Sequence, residues 1–415
     1  MCCTCFLTLH AQMNLNYLWR EDLPDSTECN YDQSPKDFFE SLLSDKDRFS
    51  YLTTNDNYKP KQINLGFAYQ AYKDASGFEA WNILYLSSDQ ARKSGLKRGD
   101  FVRQISNNGY CISLKRVRVE DGKISDMENS TPILLSLLDN NKSTNVLCDS
   151  IYNVEGKNIA YLCYLQFEDT PELFTVLNKF RESNISELIL DLRYNPGGYV
   201  STCKYLCNSI VPSMYYQSVF QQYSYNDIIS YRYLIETGSE RTFNYFSEPF
   251  PDNVTTLEPN IVPLELKRVY VLTSSHTASA SEAAIICLRP YINVVVVGER
   301  TVGKNVGSWN ISDKKFKYSI QPITMKYYNS LGETTPDDGI RADYEIPGGY
   351  NVTKHEIGDI QELMLNFTLS LIGPDTYKPE YASRSCHPEI ENSLTPIGEP
   401  SYVTEFKNKH YNESN

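Results

Sequence analysis

Three runs of consecutive apolar residues, each followed by a loop of small residues, constrain this chain more than any other feature. Leu188-Ile189-Leu190 leads into Asn195-Pro196-Gly197-Gly198, Val269-Tyr270-Val271-Leu272 leads into Ser279, and Val294-Val295-Val296-Val297 leads into Gly298 and Lys304. A strand that is apolar at every position has no face to show to water. It belongs inside a largely parallel sheet covered by helices on both faces. In such sheets ligands sit beyond the carboxyl ends of the strands, so the three loops are expected to converge on one site. The run 280–288 reads as a helix that begins directly after Ser279. Its unpaired amides and positive dipole end would stabilise an oxyanion there.

The expected architecture is α/β, of the multidomain α+β kind. A core over 148–375 has a largely parallel buried sheet flanked by helices. A small β-rich domain at 59–147 precedes it, after an N-terminal helical segment at 12–58. The β-rich domain is read from short strand-like runs, Asn64 to Tyr69, Trp81 to Leu86 and Phe101 to Ile105, with a short helix before Gly95. Residues 205–265, rich in Tyr and weakly periodic, read as a substrate-side loop. The tail 376–415, with Pro379, Pro388, Pro396 and Pro400, is expected to be loosely ordered.

A net charge of -13 and a pI near 5.0 exclude a function built on phosphate contacts, so nucleic acid is not an expected partner. No run of about 18 apolar residues occurs, which excludes a membrane-spanning helix. Met1 to Ala11 (MCCTCFLTLHA) resembles the end of a truncated export signal, pointing to the bacterial periplasm or cell envelope. Cys2, Cys3 and Cys5 are candidate lipid attachment sites, although the small residue that normally precedes such a cysteine is missing. Eleven cysteines cannot all pair within one chain, and Cys203 with Cys207 has no second pair at metal-ligand spacing. Neither a metal nor an organic cofactor is expected.

Ser279-Ala280-Ser281-Glu282 fits a helix capping box, which by itself makes Ser279 a structural cap. Lys304 changes the balance. It follows an apolar strand and two glycines, where desolvation favours the neutral amine that accepts a proton from a hydroxyl.

The stretch from about 159 to 347 resembles the S41-type, tail-specific or C-terminal-processing peptidases. The motifs are Asp191-Leu192-Arg193-Tyr194-Asn195-Pro196-Gly197-Gly198, then Thr277 to Glu282, then Val297 to Lys304. Ser279 and Lys304 stand 25 positions apart, the family's spacing for its Ser/Lys pair, which selects Ser279 over Ser281. The resemblance implies an acyl-enzyme pathway with Ser279 as nucleophile and Lys304 as general base. It also implies an oxyanion hole from the amides of Gly197 and Ala280, and no cofactor. Gly332 to Tyr344 resembles the family's closing segment. Two departures stand out: Ser308 holds the position of an amine-orienting Gln, and Pro290 holds a position where some members have Asp. Ser308 is therefore only a candidate third member.

Residues 63–110 resemble a PDZ domain, a module that binds peptide C-termini by strand addition. Leu65-Gly66-Phe67 would be its carboxylate-binding loop. The implied substrates are proteins with exposed or unfolded C-termini.

Three rival readings share these residues. Gly298 to Lys304 fits a phosphate-binding P-loop except for Asn305 in place of its hydroxyl residue, and the following residues read as turn and strand instead of helix. A Ser/His/Asp hydrolase would draw on His276 or His355. A catalytically inactive peptidase fold would bind C-terminal peptides without cutting them.

Overall fold

The computed structural model describes residues 3–54, 65–137, 144–168, 171–246, 261–313, 318–346, 355–373 and 394–412. Helix α1 (Cys3–Asn16) is followed by α2 (Pro35–Ser41) and strand β1 (Tyr51–Thr54). Ser34 caps α2 by accepting from the Asp37 N–H, and Pro35 stands at the first turn, where a missing N–H costs nothing. Cys5, Phe6, Leu9 and Met13 of α1 are buried together with Phe38, Phe39 and Leu42. Within the stretch read as the end of an export signal, the described residues are helical, and Cys5, Phe6 and Leu9 enter this core. Cys5, one of the candidate lipid sites, is fully buried, so acylating it would require that core to open.

The second unit runs β2 (Phe67–Lys73), β3 (Glu79–Leu86), α3 (Asp89–Lys93), β4 (Phe101–Asn107), β5 (Cys111–Glu120), β6 (Lys123–Asp126) and β7 (Ile133–Ser136). Its strands pair antiparallel around a core of their own that includes Phe67, Ile83, Leu86, Val102, Ile112 and Leu114.

The rest of the chain runs β8 (Val146–Val154), β9 (Lys157–Tyr164), α4 (Pro171–Glu182), β10 (Glu187–Asp191), α5 (Val200–Ile210), β11 (Val219–Tyr225), α6 (Asp227–Thr237), β12 (Thr242–Tyr245) and β13 (Arg268–Thr273). It continues with α7 (Ala280–Leu288), β14 (Asn293–Gly298), β15 (Val306–Ser308), β16 (Ile311–Asp313), β17 (Tyr318–Gln321), β18 (Ile323–Tyr328), β19 (Tyr344–Glu345), α8 (Leu363–Ile372), β20 (Thr395–Ile397) and α9 (Ser401–Asn412). The central sheet has the order β19-β14-β13-β10-β9-β8. Its pairings are parallel except for β8 with β9.

Alternate residues of each central strand enter opposite cores. Leu188, Leu190, Val269, Val271, Val294 and Val296 face α4, α5 and α7, whereas Ile189, Tyr270, Leu272 and Val297 face α8 and α9. This two-sided burial explains the uninterrupted apolar runs. The remaining sheets, β1-β17-β16, β12-β11-β18-β15 and the sheet of the second unit, are antiparallel, so the chain as a whole is a mixed α/β fold.

Two expectations change. The Tyr-rich region is not one loop: its described residues hold the end of α5, then β11, α6 and β12, with β11 paired to β18. The tail also carries ordered elements, β20 and α9, while residues 374–393 lie outside those described. In both cases the strands are made by partners distant in sequence, which local periodicity does not register.

A buried ionic network ties the second unit to the core. Arg193 donates to both oxygens of Glu362, at 2.6 and 2.9 Å, and to Asp191 at 3.0 Å. Arg98, from the second unit, reaches Glu362 at 3.4 Å and the Tyr194 hydroxyl at 3.2 Å. Burial alone would raise the Glu362 carboxyl, but Arg193 and Arg98 outweigh it and hold it at about 2. A carboxyl lowered by folding contributes stability above its ordinary value and loses it as pH falls through the folded value. Glu362→Gln should therefore cost roughly 3 kcal/mol near neutral pH. Thermal unfolding followed from pH 6 to pH 2.5 should show the difference from the parent shrinking below about pH 4.5.

Candidate active site

The carboxyl ends of β10, β13 and β14 deliver three loops to one place, as the strand pattern required. The 191–198 loop and the 274–281 loop are joined by hydrogen bonds from Thr277 Oγ1 to the Leu192 carbonyl, from Ser274 Oγ to the Arg193 carbonyl and from Ser281 Oγ to the Asn195 carbonyl. The third loop joins the second through Val302 N–H to the Thr277 carbonyl, 3.0 Å, and Glu299 N–H to the Thr273 carbonyl, 3.1 Å.

Ser279 is the residue before α7 and has φ 57° and ψ -117°. A side chain in such a conformation costs about 1–3 kcal/mol and persists only where its surroundings impose it. Ser279 is half-buried and Ala280 opens the helix behind it. That helix is buried along its whole length, so its N-terminus cannot drift.

Glu282, fully buried, supplies the constraint. Its Oε2 accepts from Ser279 N–H at 2.9 Å and from Lys304 N–H at 2.8 Å, and its Oε1 accepts from Gly303 N–H at 2.7 Å and from Thr301 Oγ1. Desolvation pushes the carboxyl up, and these four donors pull it back. The sequence pattern gave Glu282 the partner role in a capping box, and it does receive the Ser279 amide. Its reach to the Lys304 loop, 22 residues on, was missed.

Lys304 is half-buried, with Nζ 5.3 Å from the centroid of the Phe49 ring. Desolvation is the largest influence on the amine and holds it below the ordinary lysine range, against the attraction of Glu282. Phe49 and its neighbour Arg48 belong to the N-terminal segment. Arg48 donates to the carbonyls of Gly303, 3.0 Å, and Asp337, 2.9 Å, clamping the Lys304 loop to the 332–344 segment. Asn305 Nδ2 adds bonds to Thr335 and Asp337. No local pattern at 48–49 announced these contacts, because they join residues some 255 positions apart. The residues after Lys304 form strand β15, not the helix a P-loop needs.

Gly197 lies against the nucleophile loop. With φ 119°, a Cβ there would come within 2.8 Å of Ser279 Cβ, so only glycine fits. Its N–H donates to Asn195 Oδ1 at 2.9 Å in this structure. Ser308 lies on β15 and has no hydrogen bond to Lys304 among the described residues. Leu65 and Gly66 lead into β2, which Phe67 begins: Phe67 is buried in the second unit's core, and the Gly66 carbonyl accepts from Ser87 and Ser88 N–H. His276 sits edge-on to Tyr402, with burial lowering its imidazole against Glu299 and Glu399. His355 lies with Asp359, 3.6 Å away. Neither histidine is hydrogen-bonded to Ser279. The described residues contain no group of His, Cys, Asp and Glu able to hold a metal, and no helix long and apolar enough to cross a membrane.

Peptidase family S41 matches residues 158–346, and the peptidase S41 N-terminal domain matches residues 9–51, the segment that carries Phe49 and Arg48. Two Staphylococcus epidermidis proteins named probable CtpA-like serine protease are 22% identical over 374 and 376 residues, covering 82% of this chain and 68% of theirs. Among solved structures, an S41 protease of Bacteroides fragilis is similar over 88% of this chain and 96% of its own, with TM-score 0.70 and 22% identity. A photosystem II D1 C-terminal processing protease is similar over 83% and 93%, with TM-score 0.51 and 14% identity. The two family regions, the strand-loop arrangement and these relatives agree: the chain belongs to peptidase family S41 and is a serine-type peptidase.

Proposed function

We propose that the chain is an endopeptidase that cuts proteins with exposed or unfolded C-termini, with Ser279 as nucleophile and Lys304 as general base. The observation that carries this reading is Glu282, whose one carboxylate oxygen holds the backbone of both residues. The neutral amine of Lys304 takes the Ser279 hydroxyl proton as Oγ bonds to the scissile carbonyl carbon. The resulting oxyanion is received by the Ala280 amide at the start of α7 and by that of Gly197. Collapse expels the amine, which leaves with the proton from the Lys304 ammonium. Water then attacks the ester carbon, Lys304 taking its proton, and the tetrahedral species collapses to the acid product as the Lys304 ammonium returns that proton to the leaving Ser279 Oγ.

In this structure the Gly197 N–H is directed to Asn195 Oδ1, so completing the oxyanion hole requires that bond to yield to substrate. Ser308 has no part in this scheme. Preference for C-termini is supported by likeness to a protein named for C-terminal processing and by the separate antiparallel unit, in which we assign Leu65, Gly66 and Phe67 to the carboxylate-binding loop of a PDZ-like module.

Cleavage of an unfolded protein with a metal chelator present, from pH 6 to pH 10, tests the dyad. Ser279→Ala and Lys304→Ala should each lose about a thousandfold or more. The parent rate should rise with pH, with an apparent pKa below the ordinary lysine value of 10.5. A parent that binds peptides but cuts nothing would instead identify an inactive scaffold.

Phe49 gives a sharper check, since it acts on the amine in two opposed ways. Phe49→Ala admits water and should move the acid limb of the rate profile to higher pH. Phe49→Leu keeps the apolar cover but removes the ring face that favours the ammonium, and should move the limb down by about half a pH unit. Equal shifts in the two variants would show that the ring does not act on the reacting amine.

A further inference from the structure

The segment 394–412 crosses the chain in a way that peptide hydrolysis does not require. β20 adds antiparallel to β2, with Ala71 opposite Ile397, Tyr72 opposite Pro396 and Lys73 opposite Thr395. Gln70 Nε2 donates to the carbonyls of Ile397, 3.4 Å, and Gly398, 3.2 Å, and Tyr69 N–H donates to Ser401 Oγ at 2.9 Å. Leu394 is buried with Ala80, Val117 and Ile124. The edge of β2 is therefore already read, in the extended form that strand addition takes.

The same segment then turns to the candidate catalytic loops. Tyr402 is buried, with its ring 6.2 Å from that of Tyr85, 5.6 Å from Tyr194 and 6.2 Å from His276. Tyr194 adjoins Asn195, and His276 stands three positions before Ser279. Lys407 is paired with Glu399 at 2.7 Å and lies near enough to act electrostatically on Lys304 and His276.

We propose that residues 394–412 are an internal ligand, which occupies a strand-acceptor site on β2 and rests against the 194–198 and 274–279 loops, so that an extended polypeptide must displace it to bind. Occupancy is a statement about binding alone; its effect on cleavage rests on the dyad reading above.

The seat is built to be given up. β20 has three residues, and Pro396 has no N–H for the ladder. Glu405 is half-buried, with no cationic partner among the described residues. Among the described residues the titratable groups that act on it are phenols, Tyr69 on β2 and Tyr85 on β3, while Lys407 on its own helix is paired with Glu399. Desolvation pushes the Glu405 carboxyl up to about 7 from an ordinary 4.5. The seated form therefore holds the proton more tightly than the released form, so seating weakens as pH rises from 4.5 toward 7 and beyond.

The test uses the Ser279→Ala chain and a labelled synthetic peptide of residues 394–407, with binding read by fluorescence anisotropy at pH 8. Affinity in trans scales with the fraction of chains whose site is open. A chain ending at residue 393 should bind the peptide at least about tenfold more tightly than the full chain. Glu405→Gln in the full chain, which removes the partly desolvated charge and holds the segment in place, should bind it at least about tenfold more weakly. The second variant moves opposite to any loss of folding, so it decides the matter if the truncated chain does not fold. Equal affinity of the parent and Glu405→Gln, or a folded truncated chain that binds no better than the parent, overturns the proposal. With Ser279 restored, truncation should raise cleavage of an unfolded protein and Glu405→Gln should lower it. If none of these chains cuts, the dyad reading has failed, and the anisotropy still judges this one.

Discussion

One buried carboxylate is the joint on which the site depends. Glu282 lies where an ionised side chain without partners would be very costly, and it is tolerated because four donors converge on it. Those donors come from two loops that leave different strands. The first turn of α7 and the loop after β14 are therefore fixed to each other through a single anion. The strain at Ser279 follows from the same fixture: α7 cannot shift, its cap residue is held by its amide, and the backbone adopts φ 57°. Hydrophobic packing of β10, β13 and β14 brings the loops together, but it is non-directional. The bonds to Glu282 add direction to it.

A second ionic centre does comparable work behind the first. Arg193 lies within the loop that carries Gly197, and it is held between Asp191 and Glu362. Arg98 brings the second unit to the same carboxylate and to the Tyr194 hydroxyl. The antiparallel unit is thus not a free appendage. Its one buried arginine touches the residue next to Asn195, whose side chain holds the Gly197 amide.

The central sheet, the start of α7 and the convergence of the three loops were legible in the sequence because they follow from local patterns. Continuous apolar strands announce two-sided burial, and Ser279 at a strand-to-helix turn announces an exposed hydroxyl near free amides. What was illegible is non-local. Phe49 and Arg48 meet the Lys304 loop only after the whole chain has folded. The Glu282 carboxylate looked like a cap because the sequence shows the amide three residues away and not those of Gly303 and Lys304. β20 has neither length nor alternation, and it exists because β2 offers it a ladder. The packing of the apolar stretch at the start of the chain against Phe38 and Phe39 was illegible for a related reason: the composition of a short hydrophobic run does not show its partners.

These contacts divide the site into parts that are fixed and one that can change. Ser279 is pinned by Glu282 and by strain, and the Lys304 loop is pinned by Glu282, Arg48 and the 332–344 segment. Ala280 is held by its helix. The Gly197 amide alone among the proposed groups is turned to a side chain of its own loop. Preorganised donors stabilise a developing charge only when they already point at it, so the 194–198 loop sets whether the arrangement is ready. Tyr194 in that loop is also where the second unit and the C-terminal segment meet, through Arg98 on one side and the Tyr402 ring on the other. A contact that shifts Tyr194 has a short covalent path to the one unready donor, and it need not disturb the nucleophile or the base.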